Sequence, residues 1–202
     1  MTPLPPDLAA RVAARLARQH RVVLGITGAP GAGKSTLAEA VVAAFDAAAY
    51  VPADGFHLAD VELARLGRLD RKGAIDTFDG YGYLALLQRL RAQPPHVVYA
   101  PGFHRDLEQP IAGSIPVAPD ARLIVTEGNY LLDDDPPWPA IRDLLDEVWF
   151  LDVPHAERLR RLLKRHIQFG KSAEQAQAWV RAVDEPNAAR IQACRHKADL
   201  LI

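Results

Sequence analysis

Cysteine is almost missing from this sequence: Cys194 is the only one in 202 residues. No disulfide can form within one chain, and such usage suits a reducing compartment. Packing, rather than nucleophilic chemistry, is the expected use of that thiol. Excess charge is missing too. The formal net charge is −1, from 24 Lys and Arg against 25 Asp and Glu, which offers nothing global to nucleic acid or an anionic membrane. No apolar run approaches the ~20 residues of a membrane-spanning helix. The opening MTPLPPDL has neither the basic start nor the apolar core of a secretion signal. Repeats, low-complexity tracts and long linkers are absent. What is present is ordinary: 49% hydrophobic and 24% charged residues suit a single α/β domain over 1–202, with room for a small lid. The expected location is the cytoplasm.

The strongest signal lies between Val22 and Ser35, VVLGITGAPGAGKS. Val22 to Thr27 is an apolar, β-branched run, the pattern of a buried parallel strand. Gly28, Ala29, Pro30, Gly31, Ala32, Gly33, Lys34 and Ser35 then satisfy G-x-x-x-x-G-K-[ST]. Leu37, Val41, Val42 and Phe45 follow at helical spacing, so strand, loop and helix agree. Glycines let consecutive N–H groups turn inward toward phosphate oxygens, and the helix adds the positive end of its dipole. Residues Gly28 to Thr36 would therefore cradle a nucleoside triphosphate. Lys34 would reach the β- and γ-phosphates and the Ser35 hydroxyl would ligate Mg²⁺.

Around this unit the chain alternates strand and helix patterns. Asp7 is placed to cap a helix carrying Leu8, Val12 and Leu16, with Arg11, Arg15 and Arg18 on its solvated face. A short strand in 48–56 ends at Asp54-Gly55, and residues 57 to 77 read as a short helix and an exposed loop. Asp79 can cap a helix with Leu84, Leu87 and Leu90, stopped by Pro94-Pro95. His96 to Pro101 is a third strand candidate, followed by a long irregular segment through Pro119. Leu123 to Thr126 is a buried strand ending at Glu127, and Val148 to Val153 is a fifth. Helices over about 155–169 and 172–192 and a short strand at 199–202 complete the pattern. The fold expected is a parallel sheet with helices on both faces, and its ligand site lies at the carboxyl ends of the strands.

Three groups there can carry chemistry. Asp54, with His57 three residues on, can accept the proton of an acceptor hydroxyl or simply cap a turn; spacing leaves both open. Glu127 can hold Mg²⁺ directly or through water. Arg158, Arg161 and Arg165 form one helical stripe that can neutralise phosphate charge or face solvent.

Taken together, the phosphate loop, PADGFH, RKGAIDTFD, VTEGNYLL, FLDVPHAERLRRLLKRH and KADLLI resemble the phosphoribulokinase, uridine kinase and pantothenate kinase family. The chain is similar within it to a bacterial branch labelled fructose-transport-system or nucleoside/nucleotide kinase-like. The resemblance runs from Val22 to Ile202. It implies a three-layer P-loop nucleoside triphosphate hydrolase fold with a helical lid at about 155–175. It makes Asp54 the catalytic base, with Lys34, Arg161 and Arg165 acting on the phosphates and Glu127 and Ser35 holding the metal. Asn129 would face the acceptor, and Lys197 would sit beside adenine. His166 stands where those kinases carry an aspartate, so lid closure would be secured differently. YAPGFHR, Tyr99 to Arg105, matches neither the pantothenate nor the uridine pattern.

The leading expectation is thus an ATP- and Mg²⁺-dependent kinase acting on a hydroxyl of a small metabolite: a sugar, a nucleoside or a pantothenate-like acid. Asp54, His57, Lys72, Tyr99, His104, Arg105 and Asn129 would recognise that acceptor. A nucleotide-dependent switch and a weakly active binding partner are the alternatives. A guanine switch would call for an N-K-x-D motif, which is absent. The partner expected is the small substrate, without nucleic acid or membrane, and a homodimer stays open.

Overall fold

The run Val22–Thr27 forms the first strand, β1, with every residue buried. Successive side chains leave opposite faces of a strand. Val22, Leu24 and Ile26 therefore enter one core, and Val23 enters the other. The computed structural model describes residues 3–202. The first two positions of the segment read for a secretion signal lie outside the described residues.

In chain order the elements are α1 (Pro6–Leu16), β1, α2 (Lys34–Ala44), β2 (Ala48–Tyr50), α3 (Asp60–Arg65), α4 (Gly80–Arg91), β3 (Val98–His104), β4 (Gln109–Val117), β5 (Leu123–Glu127), α5 (Trp138–Arg142), β6 (Glu147–Phe150), α6 (His155–Gln168), α7 (Ala173–Trp179), α8 (Glu185–Ala193) and β7 (Leu200–Leu201). Five strands pair in parallel in the order β2-β5-β1-β6-β7. Helices α1 and α2 cover one face through Leu8, Val12, Ala38 and Val41. Helices α4, α5 and α8 cover the other through Leu87, Leu90, Ile141 and Ile191. This is the three-layer architecture expected. The register sets Ile26 opposite Glu127, so the phosphate loop and the Glu127 carboxylate leave the sheet at the same edge.

Several local expectations change. The segment from 98 to 117 does not join the parallel sheet. Its strands β3 and β4 pair with each other as an antiparallel hairpin, with a register shift between Ala100 and Gly102. The stretch read as irregular is the second arm of that hairpin. Strand β2 ends at Tyr50, and Asp54 lies in a 3₁₀ turn over Ala53–Phe56 rather than at a strand end. Helix α1 begins at Pro6, so Asp7 lies inside its first turn and does not cap it. Asp79 does cap α4, accepting from Gly82 N–H at 2.8 Å. Arg11 and Arg15 are not merely solvated: both donate to Glu147, which is buried and also accepts from Trp149 Nε1 at 2.7 Å. The helix read over 172–192 is capped by Ser172 and Gln175, and a π turn at Val180–Asp184 separates α7 from α8. Among the described residues no helix is long and apolar enough to cross a membrane.

Candidate active site

The phosphate loop owes its shape to what holds its carbonyls. Lys34 Nζ donates to Gly28 O at 2.8 Å and Ala29 O at 3.4 Å. Arg158 Nη1 takes Pro30 O at 3.1 Å, and Arg161 Nη1 takes Ala32 O at 3.2 Å. With the carbonyls engaged, the first-turn N–H groups of α2 are the ones left without an intrahelical partner. Gly31 has φ +84°, and a Cβ there would lie 2.8 Å from Arg158 O and 2.9 Å from Leu162. The close seat of α6 on the loop therefore requires a residue without a side chain. Lys34 is buried, which lowers its pKa, while Glu127 and Asp54 pull the other way.

Beside the loop, Glu127 is 3% exposed. Its Oε1 accepts from Ser35 Oγ at 3.1 Å and from Tyr50 Oη at 2.9 Å. Burial, reinforced by the charge of Asp54, pushes the Glu127 carboxyl above the ordinary carboxylate range. A hydroxyl and a carboxylate in contact are hard oxygen donors. That is the set Mg²⁺ uses when phosphate oxygens and water complete its shell, so Ser35 and Glu127 fit the ion.

Asp54 reaches the same cleft from the 3₁₀ turn. Burial would raise its carboxyl, but His57, Arg105, Lys34 and Arg165 together hold it below the usual range. Arg105 Nη2 lies 2.9 Å from Asp54 Oδ2. The hairpin can approach this turn because position 55 is glycine: a Cβ there would fall 2.2 Å from Pro101 O. His57 Nδ1 lies 2.8 Å from Asp54 O, and its ring packs against Phe78 at 4.0 Å and Phe103 at 5.0 Å. Burial lowers its pKa, and Asp54 pulls the other way.

These groups open onto one cleft of about 300 Å³, lined among others by Lys34, Ser35, Asp54, His57, Lys72, Arg105, Glu127, Asn129 and Arg165. Lys72 donates to Asp60 Oδ1 at 2.6 Å and to Glu108 O. Tyr99 and His104, read as acceptor contacts, do not line the cleft; both are exposed on the hairpin. The register shift between Ala100 and Gly102 leaves Phe103 lining the cleft while His104 stays exposed, and Arg105 reaches the cleft from the turn that follows β3. Lys197 is engaged elsewhere, with Asp134 at 2.6 Å and Leu132 O at 3.2 Å. A groove of about 500 Å³ on the other flank of the loop is lined by Ala29, Leu151, Val153, Pro154, Ala188 and Gln192, among others, and not by Lys197.

The arginine stripe divides by role. Arg158 is buried, bridging Pro30 O and Glu185. Arg161 is shared between Ala32 O and Glu157, and Arg165 alone of the three lines the cleft. Sequence reasoning missed Tyr50, hidden in an apolar strand, and Phe103, whose face is set by the register shift in β3 and not by simple alternation. It also missed Asp60, Lys171, Trp179 and Asp184, whose segments carry no motif. His166, noted as a departure, meets Asp184 at 2.8 Å and so ties α6 to the π turn.

No protein-family model matches the chain. A Schizosaccharomyces pombe protein named "putative uridine kinase" is 32% identical over 182 residues, covering 85% of this chain and 77% of its own length. A crystal structure described as a "putative fructose transport system kinase" from Silicibacter sp. TM1040 superposes with a TM-score of 0.84 at 38% identity, covering 100% of this chain and 99% of the other. The Saccharomyces cerevisiae protein YFH7 superposes with a TM-score of 0.81 over 97% of both chains. At 20% identity it speaks for the fold alone.

Proposed function

Because the chain belongs to the P-loop kinases of the phosphoribulokinase, uridine kinase and pantothenate kinase family, we propose that it transfers the γ-phosphate of ATP to a hydroxyl of a small metabolite. The observation that carries the reading is that Asp54 and Glu127, two carboxylates from separate segments, open onto one cleft beside the Lys34 ammonium. Placement separates their roles: Glu127 accepts from the Ser35 hydroxyl beside the phosphate loop, while Asp54 faces the wall that carries Arg105.

In this reading Asp54 takes the proton of the acceptor hydroxyl. A bond forms from that oxygen to the γ-phosphorus, the bond to the β-phosphate oxygen breaks, and ADP leaves. Lys34 and Arg165 neutralise charge on the transferring group, and Ser35 with Glu127 would hold Mg²⁺. When bound, the ion supplies neutralisation of phosphate charge. The groove beside Ala29 would receive the adenine, and α6 with the π turn would serve as the lid. Uridine belongs among the acceptors to be tried because the fission-yeast relative is named for it.

The test is thermal denaturation with MgATP together with ADP release across nucleosides, sugars, polyols and hydroxy acids. The expected result is a midpoint raised by MgATP and ADP release stimulated by one acceptor class. Lys34→Ala should reduce turnover by ~10²–10³-fold and shrink the midpoint shift. An equal shift in wild type and Lys34→Ala would contradict the reading.

A further inference from the structure

The Arg105–Asp54 ion pair stands against the role just given to Asp54. A carboxylate held by a guanidinium at 2.9 Å has a lone pair engaged and is a poorer proton acceptor. Arg105 is an unusual guard for such a position. It follows the end of β3 near the hairpin turn, and its side chain is 45% exposed. A cation so placed can exchange one anion for another without being drawn from a closed interior, where the desolvation cost would be large.

Its neighbours add positive charge on the same side. The Arg105 guanidinium lies 5.4 Å and the Lys72 ammonium 5.5 Å from the centre of the Phe103 ring, so one aromatic ring gathers two cations. Lys171 lies 4.8 Å from the Trp179 ring at the mouth of the cleft. Of the facing carboxylates, Asp60 is bound by Lys72 and Asp184 by His166, while Glu108 also lines the wall. Arg105 is thus the cation whose partner must be given up for catalysis.

We propose that the acceptor carries an anionic group, a carboxylate or a phosphate ester, near the hydroxyl that is phosphorylated, and that this anion takes Arg105 from Asp54. The guanidinium keeps its protons and moves between two anions, and the freed carboxylate then accepts the hydroxyl proton. Before an acceptor arrives, Asp54 stays engaged and water is a poor substitute for it. Arg105 is in this sense a specificity-determining residue, suited to the task because its planar fork matches carboxylate and phosphate oxygens. The inference rests on the kinase reading above.

The experiment uses matched acceptors that differ by one anionic group: glycerol and glycerate, ribose and ribose 5-phosphate, uridine and uridine 5′-monophosphate. ADP release with MgATP is followed for the wild type, Arg105→Gln and Arg105→Lys, with melting midpoints as the check on folding. In at least one pair the anionic member should exceed its neutral partner in kcat/KM by ~10-fold or more, the worth of one charge-assisted hydrogen bond. Arg105→Gln should close most of that gap and raise the acceptor-free rate, and Arg105→Lys should keep part of the preference. Preference for glycerate or for the phosphate esters identifies which anion is taken. A neutral acceptor used best, an anion advantage that survives Arg105→Gln, or an acceptor-free rate that does not rise in that variant would each overturn the proposal. So would the failure of every anion to stimulate a protein whose midpoint still rises with MgATP, and that result leaves the nucleotide-binding part of the kinase reading standing. No midpoint rise in the wild type would remove the kinase reading itself, and this inference with it.

Discussion

On the phosphate-loop wall of the cleft, eight consecutive residues, Gly28 to Ser35, do most of the work with backbone groups and one lysine. On the facing wall, Asp54, His57, Lys72, Phe103 and Arg105 come from a 3₁₀ turn, the loop after α3 and an antiparallel hairpin outside the main sheet. The first wall is local and rigidly braced, because Lys34, Arg158 and Arg161 hold its carbonyls. The second is a set of ion pairs between distant segments, Arg105 with Asp54 and Lys72 with Asp60. In the first of these pairs Arg105 is 45% exposed and can exchange partners, whereas Lys72 in the second is 13% exposed. Variation in such a fold is therefore cheap on the acceptor wall, which side chains can re-specify while the nucleotide wall stays as it is.

The comparison breaks most sharply at Asp54. Asp54→Asn keeps size and hydrogen bonding but removes the base, so turnover with the true acceptor should fall by ~10²–10⁴-fold, while MgATP still raises the melting midpoint. A full turnover in Asp54→Asn, together with a Glu127→Gln variant that is inactive without any change in Mg²⁺ dependence, would exchange the two roles. A second cut separates arginines that brace the loop from the one that faces the reaction. Arg165→Gln should lower kcat by up to ~10²-fold with a smaller change in ATP binding. Arg161→Gln, whose guanidinium is spent on Ala32 O and Glu157, should cost less. Equal losses in the two variants would show that α6 acts on the phosphates as a unit.

The smallest expected effect lies away from both walls, and it tests whether stability is separable from the site. Burial would raise the Glu147 carboxyl, but hydrogen bonds from Arg11, Trp149 and Arg15 hold it below its ordinary value. A depressed folded-state pKa contributes stability that is present above the unfolded value and lost as pH falls through the folded one. Glu147→Gln should therefore lower stability near neutral pH by ~1–3 kcal/mol and flatten the loss of stability in acid. ATP-dependent turnover at neutral pH should not change. Chemical denaturation across pH, beside an activity assay, measures both.

How much of this was legible follows the same division. The run from Val22 to Ser35 could be read directly, because a buried parallel strand, a glycine-rich turn and a helix start each have a local physical signature. Asp79 was legible as a cap for the same reason, and Glu127 as the last residue of an apolar strand. The hairpin was not. Its second arm, QPIAGSIPV from Gln109 to Val117, contains Pro110, Pro116 and Gly113 and is mostly exposed, so it lacks the alternation that marks a strand. Without the pairing of β3 and β4, nothing local distinguishes Arg105 from His104.

The doubly covered parallel sheet, the phosphate loop and the strand-edge carboxylate Glu127 can be read from the chain alone, since they rest on hydrophobic period and backbone conformation over a few adjacent residues. Three-dimensional packing makes Arg158 a brace while Arg165 faces the cleft, leaves Tyr99, His104 and Lys197 outside it, and sets Arg105 on Asp54. Such pairings join segments far apart in the chain, and no local pattern encodes which side chain a distant backbone will bring within 3 Å of another.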